Sequence, residues 1–330
     1  MATEPTEQVA SRVRHVEVGS DCAGQRLDKF LRANLPGVPH SRIQRLVRRG
    51  EVRVNGKRAR PDLRLQAQDD VRLPPVRTAA PDAPPRVSGS LVEAIERAVI
   101  HEDPRLLVIA KPAGVAVHGG SGVSFGVIEA LRASRPNETL ELVHRIDRDT
   151  SGCLLVARKP AALRELHALM RDGEFEKRYL ALVGGKWELG RKRINVPLRT
   201  DTRVGGERTV TAHASGKQAV TEFRPVQFLG KRATLLEVAI HTGRTHQIRV
   251  HAAHAGHPVA GDEKYGDASL NEEMRAFGLD RMFLHAHSIG FVWRGSGEPF
   301  SASAPLPEEL RAVIDQLEAA TARRGRQGTG

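Results

Sequence analysis

"HRIDRDTSGCLLVARK", residues 144–159, sets Asp147 between Arg145 and Arg148, adds Asp149, turns through Thr150-Ser151-Gly152 and runs into an apolar stretch. A short continuous apolar run behind a turn signal reads as a buried strand. A carboxylate beside guanidinium groups is held in its charged form. Asp147 is therefore expected to be ionised and fixed at a rigid strand entrance. That suits a nucleophile or an electrostatic stabiliser better than a general acid. A structural salt bridge would use the same residues, and the local sequence alone does not separate the two.

Outward from this stretch, strands and helices mix without strict alternation. "LLVIAK" (106–111), "KRYLALVGG", "ATLLEVAIH" and "RMFLHAHSIGFVW" read as strands, while "SFGVIEALRAS" and "PAALRELHALMRDG" have helical spacing. The second helix has Pro160 near its start and Gly173 past its end, the usual asymmetry of helix termini. The pattern predicts an α+β domain on a large sheet, not a doubly wound dinucleotide-binding fold.

The N-terminal part differs in charge. From Arg26 to Arg77 there are 14 Lys and Arg against 5 Asp and Glu, nine of the chain's net +12. Such clustering is the footprint of a polyphosphate-binding module. "SRIQRLVRRGEVRVNGKRA" predicts a helix capped by Ser41 and Gln44, with Ile43, Leu46 and Val47 buried and Gly50 at its end. Arg42, Arg45, Arg48 and Arg49 lie off that stripe. Val52 and Val54 then alternate into an Asn55-Gly56 hairpin turn, flanked by Arg53, Lys57 and Arg58. These residues, with Arg26, are the candidate RNA contacts of the module.

The expected organisation is a mobile arm over 1–20, a small α/β RNA-binding domain over 21–77, a Pro-rich linker over 78–90, the α+β domain over 91–318, to which the resemblance given below assigns catalysis, and a disordered tail over 319–330. Pro36-Gly37 is expected to close the first helix. Two cysteines, Cys22 and Cys153, give no disulfide framework and no zinc pattern. No apolar run reaches membrane-span length and the polar start has no signal-peptide core, so a cytoplasmic protein away from membranes is expected. Aromatic residues are only 4%, so RNA binding should rest on charge and shape rather than base stacking.

"HTGRTHQIRVHAAHAGHP", 241–258, is the second dense constellation. Thr245 is expected to cap a helix whose first turn presents His246 and Gln247 to a ligand, with Arg244 before it and Arg249 one turn in. His251, His254 and His257 recur at helical spacing, but no acid or cysteine completes a metal set. "GVSFG" fits the esterase nucleophile pattern around Ser124, but a Gly/Ser loop precedes it where a strand should.

"HRIDRDTSGCLLVARK", "KRYLALV", "TGRTHQIRVHAAHAGHPVAGDEKYGD" and "RMFLHA", in that order over roughly residues 95–310, resemble the RluA-type pseudouridine synthases. The basic module resembles the S4 RNA-binding domain. The core motif departs only at Ile146, where leucine is usual. The resemblance implies isomerisation of uridine in large-subunit (23S) ribosomal RNA, without metal or cofactor, by a monomer that acts on rRNA or on a ribosome-assembly intermediate. It also implies that Asp147 is the catalytic aspartate and Arg249 pairs with it. Tyr179 is implied to contact the target base and is a candidate acceptor for the C5 proton. Arg145 would enter the RNA stack vacated by the target, and Leu284 would lie beneath the base. His144 and Lys177 flank these motifs on the RNA side. The competing reading is a non-catalytic assembly factor that only binds rRNA.

Overall fold

The computed structural model describes residues 12–35, 38, 40–76, 87–120, 125–202 and 208–327, and the chain divides into two compact units, 1–86 and 87–330.

The first unit contains β1 (Arg14–Glu17), α1 (Leu27–Asn34), α2 (His40–Arg49), β2 (Arg53–Val54), β3 (Lys57–Arg58) and β4 (Asp70–Leu73), with sheet order β1-β4-β2-β3. Ile43 and Val47, as the apolar spacing of the second helix predicts, join Leu27, Leu31 and Val71 in its buried core. Asn55 and Gly56 both take positive φ, and Val54 pairs with Lys57, which is the expected two-residue hairpin turn. Two expectations change. β1 pairs with β4 along its whole length, so residues 14–17 belong to the sheet, not to an arm. The second helix begins at His40, which puts Ser41 inside it instead of at its cap. Residues 1–11 and Pro36-Gly37 lie outside the described residues.

The second unit contains α3 (Gly89–Arg97), β5 (Val99–Glu102), β6 (Leu106–Lys111), α4 (Val127–Ser134), β7 (Glu141–Leu142), β8 (Ser151–Ala157), α5 (Pro160–Asp172), β9 (Glu176–Gly184), β10 (Lys192–Asn195), β11 (Leu198–Thr202), β12 (Arg208–Ala212), β13 (Val220–Leu229), β14 (Ala233–Ile240), α6 (Gln247–His254), α7 (Ala268–Arg275), β15 (Leu284–Val292), β16 (Pro299–Ser303) and α8 (Glu308–Gln327). Ten strands form one mixed sheet along β10-β13-β14-β9-β15-β8-β6-β5, with β16 on β15 and β7 on β8. Only the β15–β8 pairing is parallel. This is the α+β architecture, with a mostly antiparallel sheet and flanking helices, that the segment pattern predicts.

β8 is buried throughout because both its faces are covered. Leu154 and Val156 join one core cluster, while Cys153, Leu155 and Ala157 join the other. β9 is covered on both faces from Tyr179 onward, with Tyr179, Ala181 and Val183 on one face and Leu180 and Leu182 on the other.

The linker and tail expectations also change. Ser88 Oγ accepts the Leu91 amide and caps α3, whose Ile95 is fully buried, so residues 89 and 90 are helical; residues 77–86 lie outside the described set. At the other end α8 continues to Gln327. Leu310, Val313, Ile314 and Leu317 anchor it to the sheet, and the Ala- and Arg-rich sequence beyond them favours helix.

Gly152, the second residue of β8, has φ +109°, and a Cβ there would stand 2.2 Å from the Ala286 carbonyl oxygen of the parallel partner strand. Gly152→Ala is expected to destabilise the fold by about 3 kcal/mol, through backbone strain plus a clash that no side-chain rotation relieves. An unchanged urea midpoint would contradict this.

Candidate active site

The acid-bearing loop is fastened from three sides. Thr150 N donates to Asp147 O at 3.2 Å and closes the turn before β8. Lys111, fully buried at the end of β6, donates to the carbonyls of Pro112, Val115 and Arg148, each at 2.8 Å. Burial pushes this lysine down to about 7, against the opposing pull of Asp149 and Asp147. Three carbonyl acceptors nevertheless require all three ammonium protons, so we read it as the charged form that ties β6 to the loop. "LLVIAK" reads in sequence only as a strand, and nothing local marks its lysine as a clamp.

Asp147 reaches a cleft of about 100 Å³ lined also by Arg145, Tyr179, His246, Arg249 and Leu284. Arg145, Asp147, His246 and Arg249 also line a wider groove of about 760 Å³. Motifs far apart in sequence thus meet at one place. The charge partner of Asp147 is not the one suggested by adjacency. Arg148 pairs with Asp149 at 3.1 Å, and Arg145 stands exposed where the two clefts meet. Arg249, 102 residues downstream, places Nη1 3.3 Å from Asp147 Oδ2.

Arg249 is itself held by an acid to which the sequence reading gave no role. Its Nε and Nη2 each donate at 2.7 Å to the two oxygens of Asp262, whose side chain is fully buried. Burial acts to raise the Asp262 carboxyl, but the Arg249 bonds and the amides of Lys264 and Tyr265 outweigh it and hold it below the ordinary range. Burial likewise acts to lower Arg249, and Asp262 and Asp147 together raise it. One guanidinium therefore forks onto a buried anchor and offers its remaining nitrogen to Asp147. The quoted stretch "VAGDEKYGD" contains the anchor, but a lone Asp in a Gly-rich segment carries no periodic or spacing signal.

Before α6 the geometry departs from the expected Thr245 cap. His246 is the cap residue, in the left-handed region at φ 52°, with no side-chain cap bond. Non-glycine residues held there often mark functional sites. Its Nδ1 lies 2.8 Å from Tyr265 Oη, which accepts the Val210 amide at 2.9 Å, and its Nε2 lies 3.9 Å from Asp147 Oδ2. The carboxylate opposite Nε2 favours the tautomer with its proton there, Tyr265 then donating to Nδ1. Burial lowers His246, with Asp147 opposing, so the imidazole is neutral at neutral pH.

Gln247 is an internal knot. Its Oε1 accepts Thr242 Oγ1 and the Arg244 amide, and its Nε2 donates to Val220 O and Thr221 Oγ1, which uses its full capacity. His144 Nε2 accepts the Leu155 amide at 3.1 Å, and burial, followed by the Lys177 charge, pushes the ring down to about 3. Gln247 thus lines the cleft with its amide fully engaged, while His144 does not line it and ties its loop to β8. Arg244 donates through Nε to Gln218 O at 3.0 Å and still lines the cleft.

Tyr179 is buried with its ring in the cleft, and Leu284 closes another wall. Burial and then the Asp147 charge push the phenol upward, so it stays protonated at neutral pH. It can pack against a base and donate a hydrogen bond, but it is a poor acceptor for a C5 proton. The three histidines of α6 and the following loop are also accounted for in part. His251 bonds Thr221 Oγ1 and Val196 O, and His257 bonds Gly184 O. Among the described residues no group of three His, Cys, Asp or Glu could hold a metal; Ser124 lies outside them.

In the first unit Arg45, Arg48, Arg49, Arg53, Lys57 and Arg58 are exposed, and Arg58 Nη2 lies 3.4 Å from Arg49 O, so the hairpin meets the end of α2. Arg26 is less available, since it forks onto Asp28 at 2.7 and 3.1 Å. Arg42 lies half-buried on α2. Among the described residues no helix is long and apolar enough to cross a membrane.

Residues 105–254 match the family model described as RNA pseudouridylate synthase, and residues 25–71 match that of the S4 domain. Ribosomal large subunit pseudouridine synthase C of Haemophilus ducreyi is 48% identical over 97% of this chain and 99% of its own length. Its Escherichia coli K12 namesake is 48% identical over 92% of this chain and 97% of its own. A solved structure, Human RNA Pseudouridylate Synthase Domain Containing 4, shares the fold with TM-score 0.58 and 22% identity, over 69% of this chain and 95% of that one. An acid held by a distant arginine beside a buried tyrosine, on this sheet and with relatives this near, leads to one conclusion: the chain belongs to the RNA pseudouridylate synthase family and carries an S4 domain ahead of its synthase domain.

Proposed function

We propose that the protein isomerises uridines of large-subunit ribosomal RNA to pseudouridine, with Asp147 as the reacting carboxylate. The observation that carries this reading is the convergence of Asp147, Arg249 and Tyr179 on one cleft. In the reaction the N1–C1′ bond breaks, C5 bonds to C1′, and the C5 proton is exchanged for one on N1. No atom is gained and no electron is transferred. The target must leave the RNA stack, which costs roughly a few kcal/mol. The basic surface and an inserted Arg145 offset that cost.

Asp147 is placed to act at the sugar or the ring, and Arg249 keeps it aimed while limiting repulsion from phosphates. Burial and the Asp147 charge favour the phenol form of Tyr179, so Asp147, the carboxylate lining the cleft, is the better placed acceptor for the C5 proton. The rRNA-binding assembly factor without catalysis leaves this cluster without a purpose. Tritium release from C5-labelled uridine in large-subunit rRNA fragments tests the proposal. Tight binding without release would overturn it.

The S4 unit is proposed as an RNA anchor in a cytoplasmic, monomeric enzyme acting on rRNA or an assembly particle. Removal of residues 1–86, ending before the Ser88 cap, is expected to weaken rRNA binding and flatten its salt dependence, by about 0.7–0.9 in log–log slope per lost phosphate contact. Retained chemistry at saturating RNA is expected. An unchanged slope would remove the anchor role.

A further inference from the structure

Lys177 stands two residues before Tyr179 on β9, so both side chains leave the same face of the strand. The phenol lines the catalytic cleft. The ammonium lines a separate cavity of about 320 Å³, together with His167, Arg171, His241 and Thr242. Gly243 lines both, so the two are neighbouring compartments joined through the segment that leads into α6.

Among the described residues no carboxylate lines the second cavity. The acids at the end of α5 and just beyond it, Asp172 and Glu174, are taken by Arg294. His167 donates through Nε2 to Val143 O at 3.1 Å, and the Thr242 hydroxyl is engaged with Gln247. The Lys177 ammonium forms no hydrogen bond or ion pair among the described residues, and burial lowers its pKa. A half-buried ammonium without a counter-charge is unfavourable, and an entering anion would supply one. Arg171, exposed at the rim, adds positive charge at the entrance, and His241 is exposed beside the same cavity.

We propose that this cavity receives a backbone phosphate of the substrate RNA next to the everted uridine, with Lys177 as its counter-ion. The inference rests on the RNA-modifying function proposed above. It adds a phosphate subsite beside the base pocket, and hence a means of setting the register of the strand around the target.

The full-length protein carrying Asp147→Asn, alone or with Lys177→Met, separates the two claims, because affinity is then read without turnover. Methionine keeps the apolar stem and removes the charge; Lys177→Arg serves as the charge-retaining control. Loss of one phosphate contact should weaken binding of a target-containing rRNA fragment about tenfold and lower the log–log salt slope by about 0.7. Fragments with a single neutral methylphosphonate, scanned across the linkages around the target, should identify one linkage whose neutralisation weakens the lysine and arginine forms but not the methionine form. An unchanged slope, or no linkage that responds differently, overturns the subsite. Competition by inorganic phosphate without any responding linkage would show a free-anion site and also overturns it. Turnover by Asp147→Asn alone would instead refute the functional reading and leave the phosphate scan interpretable.

Discussion

Replacing Asp147 with asparagine is expected to abolish pseudouridine formation, by four orders of magnitude or more, while rRNA binding persists. The size follows from the role: a group that takes part in the bond change typically costs this much when removed. The shape is nearly unchanged, and Arg249 keeps its fork onto Asp262, so the cleft should stay folded. Binding should even tighten slightly, because one negative charge leaves a surface that faces phosphates. Tritium release and a filter-binding isotherm on the same fragment read both quantities. Release at the wild-type rate would end the assignment of Asp147 as the reacting carboxylate.

Replacing Arg249 with lysine should be nearly as damaging, although charge is conserved. Three guanidinium nitrogens are in use, two on Asp262 and one on Asp147. An ammonium is a point donor and cannot reproduce a planar fork with a third arm. Asp262 would be left buried with part of its pairing lost, at roughly 3 kcal/mol of stability. Asp147 would lose its aim, and a misplacement of about 1 Å can cost a hundredfold in rate. Turnover is therefore expected to fall by at least two orders of magnitude, with a lower denaturation midpoint. Since Asp262 has its pKa held down in the fold, its contribution is present above the ordinary carboxyl range and is lost as pH falls through the depressed value. The variant should lose much of that acid-dependent component. Normal turnover would show that Arg249 does not position the acid.

Much of this was legible in the residues. Period-two and period-3.6 spacing identified β6, β9, β14, β15 and α5, and Pro160 and Gly173 bounded α5 at both ends. β10 to β13 were not anticipated. Their residues 192–229 mix charged and apolar types, and their pairing depends on partners rather than on local pattern. α3 and the last turns of α8 were missed because Pro-rich and Arg-rich composition outweighed a cap and an apolar stripe.

By itself the sequence determined which chemical groups occur and in what local setting: an acid at a strand entrance, a basic N-terminal module, an arginine one turn into a helix. Such features follow from backbone geometry and side-chain periodicity over a few residues. The pairing of Arg249 with Asp147 was implied by the family resemblance and not by spacing, and only the tertiary structure decided that Asp262 anchors that arginine, that Gln247 and His144 are internal ties, and that Lys177 faces a cavity of its own. Ion pairing falls off with distance in space, and no rule of spacing along a chain tells which of forty-one guanidiniums will come within 3.3 Å of a given carboxylate.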